Sequence, residues 1–108
     1  MSTYAVAHVR KTNLGPPIVE YLQRIDATLA PFGGRFLVHS GKVEAVEGQW
    51  SGDLIIIEFP DRSHAWHWYE SAAYQAILPL RRENTEGEVI FIDTVPADHR
   101  STDLLSAL

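Results

Sequence analysis

Four β-forming segments and two helical regions, in the order β-α-β-β-α-β, predict an α+β domain. Three observations carry that prediction. "YAVAHV" (Tyr4 to Val9) alternates and is rich in β-formers, as a half-buried strand requires. Ile18, Tyr21, Leu22, Ile25 and Leu29 recur at three- and four-residue steps, drawing one apolar stripe along a helix. "LIIIEF" (Leu54 to Phe59) is almost wholly apolar, the pattern of a central strand covered on both faces. A four-stranded antiparallel sheet with both helices on one face, the ferredoxin-like split βαβ arrangement, has this order.

In the first strand Ala5, Ala7 and Val9 share one face, and Tyr4, Val6 and His8 the other. "NLGPP" breaks it, and Pro16-Pro17 open the first helix, where the missing amide donor is not needed. "APFGG" ends that helix, with Gly33 or Gly34 free to take a positive φ. "RFLVHS" (Arg35 to Ser40) is the second strand. "GKVEAVEGQWSGD" reads as its continuation past a bulge at Ser40-Gly41, then a hairpin-like connection. After the third strand, Asp61 is placed to cap one helix. Ser71 is placed to cap a shorter one from Ala72 toward Leu80, whose regular run Pro79 limits. "EVIFIDTV" (Glu88 to Val95) is the fourth strand. One domain over residues 1–95 and a polar tail over 96–108 are expected.

At 108 residues, 45% apolar and 21% charged, the chain can bury one core and has the composition of a globular protein. A net charge of −5 with scattered basic residues leaves no footprint for nucleic acid or anionic lipid. The absence of cysteine excludes disulfides, thiolate catalysis and cysteine-bound zinc. No apolar run approaches the roughly 20 residues that span a bilayer. "MSTYAVAHVRK" lacks the apolar core of a signal peptide, so a cytoplasmic location and no membrane partner are expected. A strand apolar on both faces needs cover on both, and the helices cover one. In so short a chain the other cover is a second copy, so a homodimer joined sheet to sheet is expected.

The strings "PFGGRFLVHSGKVEAVEGQW", "IIIEFPDRSHAWHWYESAAYQAILPLR" and "VIFID" resemble the uncharacterised domain-of-unknown-function family 1330, of the dimeric α/β-barrel superfamily. The resemblance runs from about Tyr4 to Thr94 and includes Gly33-Gly34-Arg35-Phe36, Glu47-Gly48, Glu58-Phe59-Pro60, Trp68-Tyr69, Ser71, Tyr74 and Arg81. Tyr21 matches the family's usual tyrosine of the first helix. Where the family commonly has an arginine before a glycine pair, this chain has His39-Ser40-Gly41. The resemblance implies a ferredoxin-like subunit and a dimer whose sheets form a barrel. It implies no settled reaction: superfamily relatives include cofactor-free monooxygenases, muconolactone-type isomerases and haem enzymes with extra domains.

"HAWHWYESAAYQ" concentrates candidate chemistry. His64 and His67 stand three apart and could meet on one helix face as metal ligands, with Glu70 at the next step. "HxxH" completes no metal motif, so the face reads as solvated and no metal is assigned. Helical phase turns Trp68 and Tyr69 toward the core and leaves Trp66 at an edge or cleft. Tyrosine hydroxyls and indole N–H groups are natural pocket donors, which makes Trp66, Tyr69 and Tyr74 candidate ligand contacts. Glu58, ending an apolar strand, is a candidate general base or a rim carboxylate already paired. His39 is the second candidate for moving a proton, beside the reading of a satisfied strand histidine. Arg81 would pair with Glu58 or hold a ligand carboxylate in a bidentate fork.

These residues support a homodimer that binds a small, partly apolar ligand, acting as a cofactor-independent isomerase or monooxygenase. The alternative is a non-catalytic binding or dimerisation module. No cofactor is implied. An open space between sheet and helices would favour the first reading, and a filled one the second.

Overall fold

The computed structural model describes residues 1–107; Leu108, the end of the expected tail, lies outside the described residues. The elements are β1 (Thr3–Thr12), α1 (Pro16–Leu29), β2 (Arg35–His39), β3 (Asp53–Phe59), α2 (Arg62–Glu70), α3 (Ala72–Arg82) and β4 (Thr85–Asp93). The strands lie in the order β2-β3-β1-β4, antiparallel at every junction, which is the ferredoxin-like α+β fold.

Register sorts the side chains into two faces. Thr3, Ala5 and Ala7 of β1 stand opposite Phe59, Ile57 and Ile55 of β3, and opposite Asp93, Phe91 and Val89 of β4. This face carries the helices, and between them Phe59, Ala65 and Ile77 lose all exposure. On the other face Tyr4, Val6 and His8 stand beside Glu58, Ile56 and Leu54, and beside Ile92, Ile90 and Glu88. There Ile90 and Ile92 keep 52% and 50% of their surface exposed, so the face is apolar and uncovered.

The helices begin and end for identifiable reasons. α1 starts at Pro16 and buries Ile18, Tyr21, Ile25 and Leu29, then tightens into a 3-10 turn over Ala30–Phe32. Gly33 closes that turn at φ 70°. Gly34 has a different role, because a Cβ there would lie 2.7 Å from the Phe59 ring. Asp61 caps α2 by accepting the His64 backbone N–H at 2.8 Å. Ser71 ends α2 by donating to the Trp68 carbonyl at 2.7 Å, and caps α3 by accepting the Tyr74 N–H at 3.2 Å. α3 runs through Pro79 to Arg82, beyond the expected Leu80. Pro79 and Gln75, whose carbonyl loses its usual donor, are both exposed, so water can serve that carbonyl.

The connection after β2 differs from expectation. The register shift falls between Phe36 and Val38 rather than at Ser40-Gly41, and no strand continues past His39. Ser40 turns away at φ 56°, and β3 begins only at Asp53, so residues 41–52 have no neighbouring strand to pair with. This exposed segment is fastened near its end: the Trp50 ring stacks on His8 at 4.5 Å, and His8 Nε2 lies 2.8 Å from the Ser51 carbonyl oxygen. β4 starts at Thr85, ahead of the expected Glu88, and ends at Asp93. Past it, Ser101–Ala107 forms an exposed 3-10 segment. Among the described residues no helix is long and apolar enough to cross a membrane.

Candidate functional site

The central strand sets the site. β1 presents only the methyl groups of Ala5 and Ala7 where its neighbours present Ile57, Ile55, Phe91 and Val89. Helices resting on those larger side chains cannot close down on the alanines. The space left is a cleft of about 600 Å³, within the range of small-molecule sites. Its floor is Ala5, Ala7 and Ile57; its roof is Ile18, Tyr21 and Ile25 from α1 with Tyr74 and Arg81 from α3. Trp68 closes the buried end, and Lys11, Leu14, Ser40 and Gly52 surround the exposed mouth. Gly52, at φ +85°, lets β3 start close against β1, because a Cβ there would meet the Val9 carbonyl oxygen at 2.2 Å.

Polar groups gather on the roof. The buried hydroxyls of Tyr21 and Tyr74 lie 2.8 Å apart and share a hydrogen bond. Burial, and then the adjacent Tyr74, push the Tyr21 phenol well above its ordinary pKa, although Arg81 beside it pulls the other way. Tyr21 is therefore a neutral donor near pH 7. The half-buried Arg81 guanidinium lies against both hydroxyls and is held in its charged form there. Among the described residues no carboxylate forms an ion pair with Arg81. The Trp68 ring packs against Tyr74 at 4.0 Å, tilted by 39°, and its indole N–H donates to Thr28 Oγ1 at 3.0 Å. Thr28 in turn donates to the Ile25 carbonyl at 2.7 Å, so the indole is satisfied away from the cleft.

The sequence candidates divide among three places. Tyr74, Arg81 and His39 line the cleft, with His39 exposed at its rim and stacked on Phe36 at 4.3 Å. Trp66 and Tyr69 do not reach it. They border a separate hollow of about 280 Å³ beside Val89, Ile90 and Phe91, where Trp66 packs edge-on to Phe91 at 5.0 Å. The Tyr69 hydroxyl accepts from Arg82 at 3.2 Å. Glu58, read as a base beside the ligand, stands on the opposite sheet face. Strand alternation places it with Leu54 and Ile56, and it pairs there with Arg35 at 2.9 Å, so neither a Glu58–Arg81 pair nor a Glu58 contact in the cleft forms. His64 pairs with Asp61 at 2.7 Å on the surface. Among the described residues no group of three histidines, aspartates or glutamates gathers as metal ligands.

Tyr21, Trp68 and Lys11 were not singled out as ligand contacts. The signal for Tyr21 was present: a tyrosine within an apolar helical stripe carries a hydroxyl that must find a partner once buried.

A family model described as "Domain of unknown function (DUF1330)" matches residues 2–95. No curated protein matches the chain. A protein of unknown function from Rhodopseudomonas palustris superposes with a TM-score of 0.64 at 13% identity, over 88% of this chain and 83% of that one. A dimeric ferredoxin-like protein of unknown function from Jannaschia sp. CCS1 gives 0.68 at 10% identity, over 87% of this chain and 100% of the other. SnoaB, a cofactor-independent oxygenase from Streptomyces nogalater, gives 0.55 at 14% identity, over 92% and 96%. At such identities these likenesses establish a shared fold.

Proposed function

This chain belongs to the DUF1330 family, and from its cleft we propose a homodimeric protein that binds a small, partly apolar molecule between sheet and helices. The observation that carries the reading is the open space above Ala5 and Ala7, apolar below and polar along its roof. Specific small-molecule sites combine these features. The dimer is supported by the uncovered apolar face around Val6, Ile56, Ile90 and Ile92, and by the dimeric state of the Jannaschia relative.

Binding, rather than turnover, is the function assigned. Tyr21 stays protonated, Glu58 faces away, and His39 at the rim is left as the imidazole that would move a proton. Cofactor-independent isomerisation or oxygenation, the second reading, draws on the fold shared with SnoaB and would act through His39. Neither reading involves a cofactor. A fragment screen by methyl and amide NMR, with light scattering on the same sample, tests the proposal. The expected results are the mass of two chains and shift changes at Ala5, Ala7 and Ile57. A single-chain mass at micromolar concentration, or binding confined to other surfaces, would overturn it.

A further inference from the structure

The roof of the cleft contains a charge that the protein does not neutralise. Of the cations bordering the cleft, Arg10 is paired with Glu88 and Lys11 is solvated at the exposed mouth, whereas half-buried Arg81, on the roof, has no carboxylate partner among the described residues. Its neighbours are the hydroxyls of Tyr21 and Tyr74. A hydroxyl oxygen can accept from a guanidinium but cannot cancel its charge. Because the two hydroxyls bond to each other at 2.8 Å, one proton is used between them and the other remains available to donate.

We propose that Arg81, Tyr21 and Tyr74 form the recognition site for a single carboxylate, carried by an organic acid whose apolar body rests on Ala5, Ala7 and Ile57. The proposal rests on the cleft being a ligand site. A guanidinium presents a planar fork that fits a carboxylate through two parallel N–H bonds, and the spare tyrosine proton adds a third donor. The one cation on the roof matches one negative charge, and Lys11 stays in water at the mouth. A phosphate ester, at about −1.5 to −2 near neutral pH, would bring uncompensated charge against an apolar floor.

The test is calorimetric titration of the full chain with cinnamate and naphthoate, their neutral amides, and naphthyl phosphate. The acids should bind about tenfold or more tightly than the amides, since a charge-assisted pair is lost with the amide. Arg81→Met should abolish that preference, and Tyr21→Phe, which keeps the ring, should reduce it. Equal binding of acids and amides, or tighter binding of the phosphate, would overturn the carboxylate assignment while leaving the cleft as a ligand site. Binding of none of these probes would overturn the cleft reading itself.

Discussion

If the cleft exists because β1 offers only methyl groups, filling it from β1 should stabilise the fold and remove binding together. Ala7 is the position for this change: it is half-buried and lies between Ile55 and Val89 on the cleft floor. Ala7→Leu adds about three carbon atoms at ~0.8 kcal/mol each when fully buried. Ordering the new side chain opposes this by about 0.5–1 kcal/mol. The open mouth leaves part of the added surface wet, so the net gain should be about 1 kcal/mol. For a domain of this size that raises Tm by about 4 °C or more. Differential scanning calorimetry reads the stability, and titration with naphthoate reads the site. A core already packed at Ala7 would respond in the opposite way, with overpacking lowering stability by about 1–3 kcal/mol. A lowered Tm, or naphthoate binding unchanged in the variant, would refute the reasoning.

Three further outcomes follow from particular contacts. Thr28→Val should destabilise by about 1–3 kcal/mol in urea unfolding, because the buried Trp68 indole N–H loses its acceptor while the shape is kept. Arg81→Met should leave stability without ligand unchanged or raised in the same assay, because it removes a half-buried charge with no ion-pair partner. A loss of about 3–5 kcal/mol would instead mark Arg81 as a structural pair. Asp61 should titrate by NMR below its ordinary 3.8, since the His64 side chain and then the His64 backbone N–H hold its carboxylate. A folded pKa below the unfolded one means its contribution is complete above the unfolded value. It is lost as pH falls through the lowered one, and His64→Ala should move the midpoint back up.

Much of the fold was readable because the relevant signals are local. Ser71 announces both a helix end and a helix start, since one hydroxyl can accept from the next helix while donating to the last. Strand alternation, applied to "LIIIEF", already separates Glu58 from Ile55, Ile57 and Phe59. The uncovered apolar face follows from the same alternation. The segment after His39 was misread because its glycine-broken polar pattern is compatible with a strand, whereas a strand also needs a neighbour. Whether β3 extends back to meet it depends on Gly52, a backbone position whose conformation composition does not reveal.

The site was harder to read for a chemical reason. Glu58 and His39 attract attention because ionisable groups in apolar strands need an explanation. Arg35 supplies that explanation for Glu58 on the far face. The groups that converge are phenols on separate helices: Tyr21 reads as part of the apolar stripe and Tyr74 as a candidate ligand contact, and nothing in their spacing pairs the two. Only the packing of α1 against α3 brings their hydroxyls to 2.8 Å and places Arg81 beside them. A buried phenol satisfied by another phenol keeps one proton to spare. A half-buried guanidinium set beside phenols, with no carboxylate partner, keeps its charge. The proposed recognition chemistry therefore belongs to the pair of helices, and the alanines of β1 supply the space in which it would act.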